Sequence, residues 1–112
     1  MADYLFIYRG EAGPHKPDAA SEMTQRWIKW IVSIGEQGHL KDRGQPLENS
    51  GRVVAGNSIV TDGPYAETKD LISGFTIVKA DDLDQAVALT KGCPIFEVGG
   101  LVEVRPLINL GA

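Results

Sequence analysis

The stretch Asp3-Tyr4-Leu5-Phe6-Ile7-Tyr8-Arg9 decides the fold. Successive side chains of a strand point to opposite faces, so Tyr4, Phe6 and Tyr8 share one side and Leu5 and Ile7 the other. Both sides are apolar, the pattern of a strand inside a sheet whose two faces are covered. A chain of 112 residues has the length of one domain, residues 1–112, with helices enough for one face only. Something else must cover the second.

Outward from that strand, Gly10 to Pro17 is a Gly- and Pro-rich loop containing His15. Asp18 or Ser21 can cap a helix that runs to about Gln37, with Met23, Trp27, Trp30, Ile31 and Ile34 on one apolar stripe. Gly38 is placed to end that helix in the left-handed conformation. Leu40 to Leu47 reads as a strand or extended arm, and Glu48-Asn49-Ser50-Gly51 as a polar break. Val53-Val54-Ala55 and Ser58-Ile59-Val60 flank Gly56-Asn57, the pattern of a two-residue hairpin turn, and Asp62-Gly63-Pro64 reads as a further turn. Ser73 to Lys79 is a strand with Phe75 and Ile77 opposite Thr76 and Val78. Asp82 caps a second helix with Leu83, Ala86, Val87 and Thr90, closed by Gly92 and Pro94, and Leu101 to Leu107 is the last strand.

With the hairpin set aside, this order is the split β-α-β repeat of an α+β, ferredoxin-like antiparallel sheet. Both helices pack on one face, and the simplest cover for the other is a second copy about a two-fold axis, a homodimeric α/β barrel. The net charge is −4, with no run of Lys or Arg, which argues against direct nucleic-acid binding. The single cysteine, Cys93, permits no intrachain disulfide. No stretch has the length of a membrane span and the start lacks a secretory pattern, so the expected location is cytoplasmic. His15 and His39 have no ligating neighbours at metal spacing, and there is no phosphate loop, dinucleotide fingerprint or nucleophile elbow. No cofactor or metal is expected.

The segment Thr61-Asp62-Gly63-Pro64-Tyr65-Ala66-Glu67-Thr68-Lys69-Asp70, followed by Ile72-Ser73-Gly74-Phe75, resembles the DGPF motif of the YCII-related family, with Tyr65 in place of the usual Phe. Ala80 to Ala86, Lys91-Gly92-Cys93-Pro94 and Val102 to Leu107 are similar to later blocks of that family in the same order. The resemblance runs from about residue 4 to 107. It implies a homodimer with a cleft on the sheet face away from the helices. It also implies a possible protein partner, since such proteins are often described alongside alternative sigma factors. Some relatives resemble enzymes with a His on the first helix paired to an Asp. Here that helix contains no His, and Cys93-Pro94 stands where those relatives tend to have Asp-Pro.

The residue types point to a small organic ligand, with Tyr4, Tyr8, Asp62, Glu67, Lys69, Glu103 and Arg105 as candidate contacts. Asp62, Glu67 and Lys69 gather two carboxylates and an amine on one short segment, and loops on a rigid scaffold often carry binding groups. On the last strand Val102 and Val104 share a face, and Glu103 and Arg105 share the opposite one. If the valines face the helices, both charges enter the cleft, where they pair with each other, a dimer mate or a ligand. A structural ion pair at the dimer interface is the competing reading. Tyr4 and Tyr8 could orient a flat ligand or serve in packing. Trp27 and Trp30 read as core, and Cys93 as a buried, inert thiol.

Overall fold

A computed structural model describes residues 1–10, 21–56, 60–63 and 71–111. The elements are β1 (Ala2–Arg9), α1 (Glu22–Glu36), β2 (Leu40–Asp42), β3 (Gly51–Val54), β4 (Val60–Gly63), β5 (Ile72–Ala80), α2 (Leu83–Leu89) and β6 (Leu101–Pro106), with a 3-10 helix at Pro94–Val98 before β6. The main sheet runs β2-β5-β1-β6, and β1 is antiparallel to both of its neighbours. With β3 and β4 removed, this is the ferredoxin-like strand order.

Ser21 proves to be the cap of α1: its Oγ accepts from the Thr24 backbone N–H at 3.1 Å. The helix ends as its sequence predicts. Gly38 has φ +80°, its N–H donates to the Gly35 carbonyl at 3.0 Å, and the His39 N–H donates to the Ile34 carbonyl at 3.1 Å. Those two bonds satisfy carbonyls that the helix end would otherwise leave unpaired. In α2, Asp82 Oδ1 accepts from the Gln85 N–H at 2.8 Å. Ala86 is buried and Leu89 packs on the core, whereas Leu83 and Val87 are exposed. Two turns of helix bury a narrow stripe, and the small Ala86 is the residue that fits against the sheet.

The core lies between sheet and helices. Tyr4, Phe6, Tyr8, Val78 and Ala80 meet Trp30, Ile34, Ala86 and Ile95, with Trp27, Val102 and Val104 packed around them. Phe6 is fully buried. The rings of Tyr8 and Trp27 meet edge to face at 4.9 Å, and those of Trp27 and Trp30 at 5.8 Å, the geometry that aromatic quadrupoles favour. On the other side of the sheet Leu5, Ile7, Phe75 and Ile77 are half-buried and no described element covers them.

After β2 the chain continues beside β5 as an arm. Thr76 Oγ1 donates to the Arg43 carbonyl at 2.9 Å, and the Leu47 N–H donates to the Ser73 carbonyl at 2.8 Å. The hairpin register differs from the expected one. Val54 pairs with Val60 and Gly51 with Gly63, so residues 55–59 connect the strands in place of a two-residue turn at Gly56-Asn57. Asp62 and Gly63 belong to β4, not to a turn. Pro64 follows them, and a residue before proline is biased toward extended backbone, which lets the strand run up to that point. The described helices include none long and apolar enough to cross a membrane.

Candidate functional site

The sheet register builds a charged cluster beside an apolar patch. Ile7 of β1 lies opposite Glu103 of β6, and Leu5 opposite Arg105. On the other flank Ile7 lies opposite Phe75 and Leu5 opposite Ile77. Because Val102 and Val104 pack toward the helices, Glu103 and Arg105 stand on the uncovered face, as the strand's alternation requires.

Glu103 is held from two sides. Arg9 Nε donates to its Oε1 at 2.7 Å, and Arg105 Nη1 donates to its Oε2 at 3.1 Å. Arg105 is its neighbour two positions along β6, and Arg9 its diagonal neighbour across the ladder, both within reach of a long side chain. The hydrogen bond from Arg9, then that from Arg105, holds the Glu103 carboxyl below the usual carboxylate range, against a weaker opposing effect of desolvation. Such a carboxylate stays ionised at neutral pH and is a weak base, so its chemistry here is to position guanidinium groups. Arg105 is 64% exposed at the side chain and offers the rest of its donor fork to solvent. At the far end of the face Asp3 accepts from Lys41, and Lys79 is the register partner of Asp3.

The other expected residues separate into three groups. Tyr4 and Tyr8 are on the helix-packed side, at 7% and 5% exposure, across the sheet from Glu103 and Arg105. The Tyr8 hydroxyl donates to Thr76 Oγ1 at 2.6 Å, and burial pushes its ionisation well above the ordinary tyrosine range. Asp62 is on β4, the register partner of Arg52, in a two-stranded sheet separate from the main one. Glu67 and Lys69 lie outside the described residues. Arg9 is the residue that sequence reasoning missed. Its signal was present, since it ends the strand that decides the fold, but only the β1–β6 register shows it beside Glu103.

His39 and Cys93 are structural in their surroundings. His39 Nδ1 is 2.8 Å from the Lys79 carbonyl oxygen, a bond that ties the end of α1 to β5. His15 lies outside the described residues, and α1 contains no histidine. Cys93 is buried, and burial pushes its thiol up to about 12. Among the described residues no group of three His, Cys, Asp or Glu could hold a metal ion.

In overall fold the chain is similar to a 5-chloro-2-hydroxyhydroquinone dehydrochlorinase from Burkholderia phenoliruptrix, solved in complex with 2,5-dihydroxybenzoquinone. The TM-score is 0.54 at 13% identity, over 96% of this chain and 94% of that one. It is also 41% identical over 54 residues to an uncharacterised protein of Rhizobium meliloti. That match spans 47% of this chain and 44% of the relative's length. The model of the YCII-related domain matches residues 14–110, nearly the whole length, and the chain therefore belongs to the YCII-related family.

Proposed function

We propose that the protein acts as a homodimer that binds a small organic molecule against the uncovered sheet face, beside the DGPF-like segment that runs from Asp62 to Lys69. One observation carries this reading: Glu103 fixes Arg9 and Arg105 at the border of the apolar patch formed by Leu5, Ile7, Phe75 and Ile77. An apolar surface with a few convergent polar groups is the usual make-up of a ligand site. A sheet face of this kind is also what a second copy, placed about a two-fold axis, would cover. The fold neighbour, which holds a small ring compound, supports the choice of ligand size. At 13% identity it transfers no residue.

In this reading Arg105 is the leading contact. One nitrogen is bound to Glu103, and the remaining donors suit an acidic oxygen of the ligand. Proton transfer or elimination on the ligand would need a base other than Glu103, whose carboxyl is held ionised. Asp62 and Glu67 are the carboxylates that would serve, with Lys69 as a neighbouring cation.

Native mass spectrometry of the protein purified gently from its own host tests the proposal. The expected species is a dimer carrying a non-covalent small molecule, and Arg105→Ala should lose that molecule while remaining a folded dimer. Retention of the molecule by the variant would remove Arg105 from the site. A dimer carrying another protein, such as a sigma factor, would replace small-molecule binding with an accessory role. A monomer at micromolar concentration would end the dimer reading.

A further inference from the structure

Beside Arg9 the pairing of β1 with β5 is broken by a bulge. The pairs run without interruption from Ala2–Ala80 to Tyr8–Gly74, and the next would set Ser73 opposite Arg9; instead Arg9 pairs with Ile72. The extra residue, Ser73, is buried, and its Oγ donates to the Tyr8 carbonyl at 3.2 Å. A bulge disrupts the ladder locally, and bulges are over-represented next to functional sites, where they re-aim a side chain. Here the outcome is a buried serine and an isoleucine set beside Arg9 with 41% of its surface exposed. An outward isoleucine in place of a serine is the reverse of what contact with water alone would favour.

The β6 side repeats the arrangement. Leu101 is the register partner of Arg9 there and is 49% exposed. Ile72, Arg9 and Leu101 thus form one row across three neighbouring strands, about 10 Å wide. The Arg9 side chain is 28% exposed, and its Nε is committed to Glu103. Stacking uses the flat face of a guanidinium and needs no free donor, so the bonds that Arg9 makes in its own plane leave this role open. Arg105 reaches back to Glu103, which places its donor fork about 7 Å along β6 from Leu101, the length of one ring bearing an acid group. Two guanidinium groups share one carboxylate here, and the charge that complements them is a single anion. The Gly10 N–H donates to the Leu71 carbonyl at 2.8 Å, so the DGPF-like segment, which ends at Asp70, joins the sheet at this same corner. We propose that this corner takes the ring of a planar organic acid, stacked on Arg9 between Ile72 and Leu101, with the acid group on Arg105. The inference rests on the small-molecule reading above and deepens it, naming the ligand's class and two further contacts, Ile72 and Leu101.

Amide chemical-shift titration of the full chain with benzoate, benzamide and acetate tests it. Benzoate should give saturable shifts in the millimolar range, centred on the amides of Arg9, Ile72, Leu101 and Glu103. Benzamide keeps the ring without the charge, and acetate the charge without the ring. Each should bind at least about 10-fold more weakly than benzoate. Ile72→Thr and Leu101→Thr keep a strand-forming side chain at an exposed position, and each should weaken benzoate by about 5-fold while leaving acetate unchanged. The wild-type shift map needs no variant, so a substitution that disturbs folding does not remove the test. Shifts that map to another part of the sheet, or unchanged benzoate affinity in both folded variants, overturn the assignment of this corner. Benzamide binding as well as benzoate overturns the acid, and acetate binding as well as benzoate overturns the ring. No saturable shift from any of the three probes overturns the inference as a whole. The small-molecule reading is judged separately, by the molecule that the host-purified protein carries in the native mass spectrum. A neutral molecule there would uphold that reading and overturn this one.

Discussion

Replacing Gly44 by alanine should damage this fold far more than the same change at Gly38, although both glycines have positive φ. Gly38 sits at φ +80° with nothing within 4 Å of an added Cβ. The substitution there costs only the left-handed conformation, about 1 kcal/mol. Gly44 sits at φ +71°, and its Cβ would lie 1.7 Å from the Phe75 carbonyl oxygen and 2.6 Å from the carbonyl carbon. That carbonyl belongs to β5, paired on one side with β1, and cannot retreat without opening the centre of the sheet. The arm must yield instead. Its attachments here are the Thr76 Oγ1 bond to the Arg43 carbonyl at 2.9 Å, the Phe75 N–H bond to the Gln45 carbonyl at 3.4 Å and the Gly44 N–H bond to Asp42 Oδ1 at 2.8 Å. At roughly 1 kcal/mol for each bond lost, added to the backbone cost, Gly44→Ala should destabilise by about 3–4 kcal/mol. Urea unfolding of wild type and both variants measures the two losses under one set of conditions. Equal losses at the two sites would refute the reasoning, because the contact with the Phe75 carbonyl would then not be what fixes the arm.

Tyr8→Phe removes the hydroxyl that donates to Thr76 and should cost about 1 kcal/mol in thermal or urea unfolding. It should leave ligand affinity unchanged, because Tyr8 lies across the sheet from Glu103 and Arg105; a loss of ligand with full stability would place Tyr8 in the site. The Cys93 thiol should make the fold sensitive to alkali. Its ionisation is raised from about 9 to about 12, so between those values the unfolded chain releases this proton while the folded chain keeps it. Stability therefore falls as pH rises through that window, by about 1–2 kcal/mol at pH 10 for this group. Cys93→Ala should show the smaller loss between pH 8 and pH 10, and identical pH dependence would assign the alkaline loss to other groups.

The sequence alone determined whatever depends on neighbours close along the chain. Alternation in β1 and β6 separated Tyr4, Phe6 and Tyr8 from Leu5 and Ile7, and Val102 and Val104 from Glu103 and Arg105, because side chains of a strand alternate regardless of its partners. The stripe of α1, its glycine stop and the Asp82 cap were legible for the same reason: each is completed within a few residues. The order of elements was enough for the split β-α-β arrangement, and the ordered motif blocks for the family. What needed tertiary structure was set by pairing between distant segments. The predicted two-residue turn at Gly56-Asn57 and the observed pairing of Val54 with Val60 differ by one register step, which local composition does not resolve and which moved Asp62 from a turn into β4. Leu83, Ala86 and Val87 were all legible as apolar positions of α2, but the docking of the helix on the sheet decided that Ala86 and Leu89 turn inward and Leu83 and Val87 do not. Arg9 is 94 residues from Glu103 in sequence, and only the antiparallel register of β1 and β6 brings its Nε to the carboxylate. An ion pair across a sheet is a product of register, and register is decided by the burial of the whole sheet, not by the residues that form the pair.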